Sequence, residues 1–317
     1  MPIDFSIIIP AKNEEFNMGQ CLDSINQVDY EKGRYEIIVV DNGSSDRTVD
    51  VAANKGAAVF VQPDLTIAAL RNFGARMAKG KILAFLDADC TVAADWLNAA
   101  ARYLDDTSIA VYGSAPRVPD QATWVQRVWF SIRKKDQPLA PVDWLESMNM
   151  FIPREIFLSI EGFDEQLITC EDYELCLRLQ AQGQILSDQR IMAVHHGEAR
   201  DIPHFFRKER WRATSNRSRL LSGQVGLKEY PSLLLPLVYC LLALTCLIML
   251  VLFGLFDASG INVGMVALVL IWQAPLLALA GWKIRHALTL TGVFQLYALL
   301  NVYFLARGLA CLRRDPR

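Results

Sequence analysis

Two acidic residues, Asp87 and Asp89, end the apolar segment that begins at Ile82. Such a segment is typical of a buried strand in a parallel sheet, and open α/β sheets bind ligands at the carboxyl ends of their strands. On an extended backbone both carboxylates point to the same side, where they could share one hard divalent cation that also binds phosphate oxygens. Two acids that cap a solvated turn have the same pattern. The pair by itself leaves both interpretations open.

A second acidic pair, Glu171 and Asp172, follows Thr169 and Cys170. This segment has the form of a capping box, and acids in the first turn of a helix suit the helix dipole. A carboxylate in this position can also face a cleft and act as a general base. We therefore predict that a helix begins here, and its acids have either a structural or a catalytic role.

Two adjacent histidines, His195 and His196, end a predicted strand that begins at Ile191. A histidine at a strand end usually has no special role, but one within reach of Asp89 would supply a further metal ligand. The segment 205–212 then combines four cationic and three aromatic side chains. It could bind anionic lipid beside a membrane, or it could bind a substrate diphosphate.

The elements that position these residues alternate between strands and helices. Strands are predicted at 5–10, 35–40, 57–61 and 82–90, with amphipathic helices between them, and a further strand is expected from Trp144 to Ile152. The order indicates a doubly wound α/β nucleotide-binding half, although it contains neither a Gly-x-Gly-x-x-Gly motif nor a Walker lysine.

Two of the connecting segments carry further candidate residues. In the polar loop after the second strand, Ser44 or Ser45 is expected to cap the next helix, whose free N–H groups also suit a phosphate or ribose. Thr66 is expected to cap the helix that contains Arg71. An arginine there is usually solvated, but it can also pair with a phosphate.

The chain divides by composition into a soluble and a membrane part. Its 317 residues allow about two domains, and a net charge of −2 indicates no nucleic-acid partner. We predict a catalytic domain over 1–225 and a membrane domain over 226–317, with transmembrane helices at about 232–256 and 262–282. A third apolar segment at about 287–306 would span the membrane or lie in its plane.

Several features predict on which side of the membrane the parts lie. The N-terminus has no signal-peptide pattern and the seven cysteines have no metal-ligand spacing, so the soluble part is expected in the cytoplasm with reduced thiols. A full third span would place Arg307 and the three later arginines outside, against the positive-inside rule. We therefore expect an in-plane or re-entrant third segment, or an exception to that rule.

The motifs taken together resemble the family-2 inverting glycosyltransferases over about residues 5–215. The segments that carry the resemblance are 8–15 (IIPAKNEE), 40–46 (VDNGSSD), Arg71-Asn72-x-Gly74, Asp87-x-Asp89, 162–165 (GFDE) and Glu171-Asp172. The resemblance implies a GT-A fold, a nucleotide-diphosphate-sugar donor, and a divalent cation, Mg²⁺ or Mn²⁺, that bridges the diphosphate.

The family's functional positions carry over residue by residue. The resemblance implies that Asp172 is the catalytic base and that Glu171 supports it. It implies metal ligands among Asp89, Asp87, His195 and His196. The nucleotide-sugar-binding residues would be Pro10, Ala11, Glu14, Asp41, Ser44, Arg71, Asp87, Arg210 and Trp211. Arg207 stands where processive members have the Gln of Gln-x-x-Arg-Trp, which argues against processive polymerisation.

The same resemblance suggests a biological role. The segment 144–150 (WLESMNM), the double histidine and the cationic segment 205–212 are similar to a bacterial subgroup that serves exopolysaccharide or envelope-glycan assembly. The expected acceptor is a hydroxyl group on a lipid-linked glycan at the inner membrane, with the catalytic domain facing the cytoplasm. Two alternatives are a polyprenyl-phosphate-sugar synthase, whose phosphate acceptor hardly needs a base, and a membrane scaffold that binds nucleotide-sugar without catalysis.

Overall fold

The computed structural model describes residues 2–132, 137–214, 230–256, 263–284 and 289–311. The chain forms two compact units, the first from Met1–Asp120 with Lys134–Glu198 and the second from Gln121–Arg133 with Ala199–Arg317. The predicted domain boundary at 225/226 lies outside the described residues and stays a prediction.

The strands of the described residues all belong to the first unit. They are β1 (Phe5–Ala11), β2 (Tyr35–Asp41), β3 (Ala58–Val61), β4 (Ile82–Leu86), β5 (Cys90–Val92), β6 (Ile109–Gly113), β7 (Leu139–Pro141), β8 (Asn149–Pro153), β9 (Gln184–Asp188) and β10 (Ala193–His195).

The described helices are divided between the units. The first unit contains α1 (Glu15–Asn26), α2 (Thr48–Asn54), α3 (Ile67–Met77), α4 (Trp96–Ala101), α6 (Arg154–Ser159) and α7 (Glu171–Leu179). The second contains α5 (Trp124–Ser131), α8 (Ile202–Arg212), α9 (Tyr230–Phe256), α10 (Val263–Lys283) and α11 (Leu290–Cys311).

The main sheet has the strand order β3-β2-β1-β4-β8-β6-β9-β7. Strands β3, β2, β1 and β4 are parallel, as the sequence predicts, so that their carboxyl ends meet at one edge of the sheet. Strand β8 then pairs antiparallel with β4, which makes the sheet mixed. The α/β fold class is confirmed, and β5 and β10 form a separate two-stranded sheet beside the end of β4.

Apolar side chains on both faces of the sheet form the core of the first unit. Strands β1 and β4 are buried along their whole length, which explains their continuous apolar sequence. Helix α3 packs against β1 at Gly74, where an added Cβ would lie 2.5 Å from the Ile8 side chain. A glycine is therefore required for α3 to lie at this distance from the sheet, and this contact positions Arg71 one turn earlier.

In the second unit, three helices are long and apolar enough to cross a membrane: Tyr230–Leu252, Val263–Lys283 and Leu290–Cys311. Their mean hydropathies are 2.7, 2.2 and 1.3, so the third is the least apolar. It is also the most buried of the three, because α5 and α8 pack against it in addition to α9 and α10. The three predicted apolar segments are confirmed as helices.

Three local predictions are wrong. Neither Ser44 nor Ser45 caps α2, which has Arg47 in the N-cap position, because Ser44 binds Asp41 instead. The expected capping box at the start of α7 is absent there, since Cys170 is the N-cap residue, with a left-handed backbone and no side-chain cap bond. The strand expected from Trp144 begins only at Asn149.

Candidate active site

Arg71 lies at the centre of the charged residues near the carboxyl ends of the parallel strands. Its side chain is 2% exposed, and its two terminal nitrogens donate to Asp87 Oδ1 and to Glu171 Oε1, both at 2.7 Å. Its guanidinium also lies 5.6 Å from the ring centroid of Phe163. Arg71 is therefore not a solvated arginine, because two carboxylates compensate its burial, and its predicted contact with the nucleotide-sugar stays a prediction.

Arg71 joins parts of the chain that are far apart in sequence. Asp87 directly follows β4, whereas Glu171 is the first residue of α7. A planar guanidinium that donates to two carboxylates fixes both in orientation as well as in distance. The start of α7 is thereby held next to the carboxyl end of β4.

Asp172 adjoins this ion-pair group and is partly buried. Its carboxylate accepts hydrogen bonds from the backbone N–H groups of Tyr173, at 2.8 Å, and Ser147. Burial and the charge of Glu171 raise the pKa of Asp172 to about 6, against the smaller opposing effects of these N–H groups and Arg71. A carboxylate with this pKa is ionised at neutral pH and is a stronger base than an ordinary aspartate.

Asp89 is paired with one of the two candidate histidines. His195 Nε2 lies 3.1 Å from Asp89 Oδ2, and its Nδ1 lies 3.4 Å from Glu198 Oε1. Burial would lower the pKa of His195, but its hydrogen bonds to Asp89 and Glu198 raise it to about 9. His196 points elsewhere, because its Nε2 is 2.9 Å from Thr91 Oγ1.

Gly197 makes the pairing of Asp89 and His195 possible. A Cβ at position 197 would lie 1.8 Å from Asp89 Oδ2 and 3.1 Å from His195 Nε2. Every other residue type would therefore displace the carboxylate. The backbone of the double-histidine segment is fixed in turn, since His196 N–H donates to the Asp89 carbonyl oxygen at 2.9 Å.

The loops after β1 and β2 form a second polar group. The Asp41 carboxylate is fully buried and accepts hydrogen bonds from both the N–H and the hydroxyl of Ser44. The Asn13 N–H donates to Ser44 Oγ at 2.8 Å, and Glu14 N–H donates to Thr48 Oγ1 at 2.8 Å. Asp41 and Ser44 thus shape the loop itself, and their predicted contact with a nucleotide stays a prediction.

Glu14 links this loop group to the acids after β4. Burial raises its pKa, and the negative charges of Asp89, Asp46 and Asp87 add to that effect, whereas a hydrogen bond from Asn17 opposes it. Pro10 and Ala11, at the end of β1, are buried. Glu14, Asp46, Asp87 and Asp89 therefore share one electronegative region that would attract a cation.

Arg210 and Trp211 lie on α8 in the second unit. The Arg210 guanidinium lies 5.7 Å from the Phe206 ring centroid, and the Trp211 side chain is about half exposed, at 51%. Their predicted role in donor binding stays a prediction.

Sequence reasoning missed three residues that support the site. Glu198 contacts the outer nitrogen of His195. Asn72 holds the 162–165 segment by exchanging two hydrogen bonds with the Phe163 backbone, at 2.8 and 2.9 Å. Asn149 accepts from Trp96 and donates to Ser114, which fixes the start of β8. A signal for Asn72 was present in the Arg71-Asn72-x-Gly74 motif, whereas Glu198 had none.

The side chains near Asp89 fit a divalent cation in part. A carboxylate and an imidazole are suitable ligands for Mn²⁺, and the carboxylate also suits Mg²⁺. A histidine that binds a metal through one ring nitrogen usually has a carboxylate beside the other, which orients the ring, and Glu198 is in that position beside His195 Nδ1. Within the described ranges, no three His, Cys, Asp or Glu side chains form a complete metal site. A cation here would need further ligands from outside these side chains.

Comparison with known proteins finds similarities to glycosyltransferases, mainly in the first unit. Residues 6–160 match the model for "Glycosyl transferase family 2". "Glycosyltransferase AglE" of Haloferax volcanii is 28% identical over 191 residues, which are 57% of this chain and 63% of that protein. "Amylovoran biosynthesis glycosyltransferase AmsB" of Erwinia amylovora is 25% identical over 209 residues, 57% of this chain and 65% of that protein. The chain thus spans somewhat less than two thirds of either relative.

A solved structure has the same fold. "Mannosyltransferase PcManGT from Pyrobaculum calidifontis in complex with GDP-Man and Mn2+" superposes with a TM-score of 0.64 and 18% identity, covering 98% of this chain and 88% of that one. At this identity the similarity shows the fold alone, which is GT-A. The superposed part of this chain includes its C-terminal helices.

Proposed function

We propose that the chain, whose residues 6–160 match the model for "Glycosyl transferase family 2", is an inverting, metal-dependent enzyme that moves a sugar from a nucleotide-diphosphate-sugar to a hydroxyl acceptor. The observation that carries the proposal is the group formed by Arg71, Asp87 and Glu171, next to Asp172. One buried arginine keeps the proposed base beside the end of β4, where we propose that the donor binds.

In the proposed reaction, Asp172 accepts the proton of the acceptor hydroxyl. The acceptor oxygen forms a bond to the anomeric carbon from the face opposite the diphosphate, and the bond from that carbon to the diphosphate oxygen breaks. The configuration inverts and a nucleoside diphosphate leaves. The pKa of about 6 supports this role, because Asp172 is ionised at pH 7 and yet basic enough to take the proton as the hydroxyl attacks.

Asp89 and His195 would hold a divalent cation, with Glu198 orienting the imidazole. The donor's phosphate oxygens and water would complete its ligands, as is usual for Mg²⁺ and Mn²⁺ at phosphate sites. When bound, such a cation would stabilise the negative charge that develops on the leaving diphosphate. Asp87 would bind ribose with the oxygen that Arg71 leaves free.

The acceptor proposed here is a lipid-linked glycan at a bacterial inner membrane, with the catalytic domain in the cytoplasm. Three apolar helices in the same chain support a membrane location. A relative named for amylovoran biosynthesis supports a role in exopolysaccharide or envelope-glycan assembly. The pair Glu171-Asp172 favours a hydroxyl over a phosphate acceptor, since a lipid phosphate is already ionised and needs little help from a base.

The test uses membranes that contain the full chain, a panel of nucleotide-sugars, and Mg²⁺, Mn²⁺ or a chelator. We expect one donor to release nucleoside diphosphate in a metal-dependent reaction, faster with a lipid extract that supplies the acceptor. Sugar found on a polyprenyl phosphate would establish the alternative synthase. Donor binding without turnover, lipid extract included, would contradict catalysis and favour a nucleotide-sugar-binding scaffold.

A further inference from the structure

The third apolar helix, α11, packs against α9 and α10. A helix that crosses a membrane beside them would contact them from one end to the other, and α11 does not. Helices α9 and α10 form an antiparallel hairpin, in which the Tyr239 and Trp272 rings are 5.4 Å apart. Tyr239 lies 9 residues after the start of α9 at Tyr230, and Trp272 lies 11 residues before the end of α10 at Lys283. The start of α9 and the end of α10 are therefore at about the same level.

Helix α11 begins at this end of the hairpin, and its last turn reaches no further along the hairpin than about the level of Tyr239. Near its beginning, a Cβ on Gly292 would lie 3.8 Å from the side chain of Ile284, which directly follows α10. Near its end, a Cβ on Gly308 would lie 2.5 Å from the Pro236 carbonyl oxygen and 2.4 Å from Cys240 Sγ. Pro236 is only 6 residues, about 9 Å, from the start of α9.

The length of α11 makes this arrangement incompatible with a third span. Its 22 residues extend over about 33 Å. A helix that left the hairpin end and crossed the bilayer would have its last turn near the end of α9, beside the α9–α10 connection. The last turn instead lies beside Pro236 and Cys240, which are 6 and 10 residues from the start of α9, so that α11 crosses the first half of α9 obliquely.

The other side of α11 is covered by α8 and α5, helices that do not belong in hydrocarbon. Leu299 packs with Val125 and Phe205, and the Trp129 ring lies 5.5 Å from the Tyr303 ring. Helix α8 carries four cationic side chains within its 11 residues. Since only three residues separate Glu198 from α8, this helix must lie on the same side of a membrane as the first unit.

An ion pair fixes α11 to α8. Glu209 is fully buried and contacts Arg307 Nε at 3.0 Å and Arg212 at 2.7 Å. The Arg307 guanidinium also lies 4.4 Å from the Tyr303 ring centroid. A charged pair of this kind is costly at the centre of a bilayer but not at its surface. The exposed apolar side chains of α11, at Leu290, Phe294, Leu305 and Leu309, remain for lipid.

We propose that α8 and α11 together form a surface that binds the interfacial layer of the membrane, with α11 in the membrane plane. The chain then crosses the bilayer twice within its described helices, and α11 both begins and ends on the side of α8. This placement puts Arg307, Arg313, Arg314 and Arg317 on the catalytic side, in agreement with the positive-inside rule. Basic side chains there would also be attracted to anionic headgroups.

The test is cysteine labelling of the full chain in sealed vesicles of both orientations. The seven native cysteines are replaced by serine, and Lys32→Cys, Ser259→Cys and Asp315→Cys are made separately. With a membrane-impermeant maleimide, we expect Asp315→Cys to be labelled in the same orientation as Lys32→Cys, and Ser259→Cys in the opposite one. Labelling of Asp315→Cys together with Ser259→Cys would overturn the proposal.

A second measurement covers the case in which the cysteine-free chain does not fold. The chain with its native cysteines is fused after Arg317 either to a phosphatase that is active only outside the cell or to a fluorescent protein that matures only inside. We expect fluorescence without phosphatase activity. Phosphatase activity without fluorescence would show that α11 crosses the membrane and would contradict the in-plane assignment. Neither result depends on glycosyl transfer.

Discussion

Arg71 and Glu171 are 100 positions apart in the sequence, yet they form a buried ion pair 2.7 Å long. The same guanidinium binds Asp87 at an equal distance, so that the start of α7 and the end of β4 are held together by one side chain. The proposed base, Asp172, follows Glu171 directly. The position of the proposed base relative to the end of β4 therefore depends on the Arg71 side chain.

Replacing Arg71 is expected to disrupt the site and the fold. Arg71→Ala leaves two buried carboxylates without their partner, which costs about 3–5 kcal/mol of folding free energy for a broken buried pair. Arg71→Lys keeps the charge but cannot donate to both carboxylates in a fixed geometry. We expect it to fold, with transfer reduced at least tenfold. Thermal unfolding and turnover measure the two effects, and Arg76→Lys, at a half-exposed position of the same helix, is the control. Normal turnover in Arg71→Lys would contradict the positioning role.

The raised pKa of Asp172 predicts how the rate of transfer depends on pH. Its pKa in the folded protein, about 6, is above the ordinary aspartate value near 3.9, so that it is protonated and inactive as a base below about pH 6. We expect turnover to be level above that pH and to fall about tenfold per pH unit below it. Initial rates between pH 4.5 and 8, with donor binding measured in parallel, test this. An unchanged rate at pH 5 would contradict the assignment.

Asp172→Asn separates catalysis from folding. The pKa of Asp172 is higher in the folded than in the unfolded protein, so ionised Asp172 lowers the free energy of unfolding above about pH 6. The neutral amide of asparagine removes this destabilisation. We expect the variant to be no less stable than the native protein at pH 7, to bind donor normally, and to show no transfer. Turnover at the native rate would exclude Asp172 as the base.

The two adjacent histidines should differ in their effects. His195 faces Asp89, whereas His196 binds Thr91, so only His195→Ala should weaken the binding of Mn²⁺. Loss of a group that only supports a metal ligand typically reduces metal affinity about 10- to 100-fold, and we expect loss of the ligand itself to cost at least as much. Calorimetric titration with Mn²⁺ in the presence of a nucleoside diphosphate compares the variants. Equal losses, or a larger loss in His196→Ala, would contradict the assignment of His195.

Gly197→Ala tests the position of the Asp89 carboxylate. The added Cβ would overlap Asp89 Oδ2 at 1.8 Å, so the carboxylate must move away from His195. We expect a large loss of metal-dependent turnover with a modest loss of stability. Gly19→Ala, in α1, is the matched control, because its Cβ would have only ordinary contacts, with Lys55 at 3.8 Å and Val51 at 3.9 Å. Native activity in Gly197→Ala would show that the Asp89–His195 geometry is not required.

Much of the first unit could be predicted because its signals are local. Buried parallel strands have continuous apolar sequences, and the acids after β4 lie directly at its carboxyl end. The antiparallel insertion of β8 between β4 and β6 was missed, since strand pairing across more than 60 residues leaves no periodic pattern. The partners of Arg71 were missed for the same reason: an arginine within a helix looks solvated until the fold brings two carboxylates to it.

Cap positions were mispredicted for a different reason. Serine and threonine have several possible partners, and Ser44 donates to the buried Asp41 instead of accepting from the start of α2. At α7, Cys170 takes a left-handed backbone with φ of 66°, so the chain enters the helix too sharply for Thr169 to act as its cap. Such turns are decided by contacts beyond the local sequence.

The central claim is that Asp89 and Asp172 have separate roles in one metal-dependent transfer. The most direct measurement compares the native chain with Asp89→Ala and Asp172→Asn, using the donor identified from the panel, with Mn²⁺ and with chelator. We predict that both variants lose transfer, that only Asp89→Ala loses metal-dependent donor binding, and that chelator abolishes native turnover. Transfer by either variant at the native rate, or native turnover that is unchanged in chelator, would contradict the account.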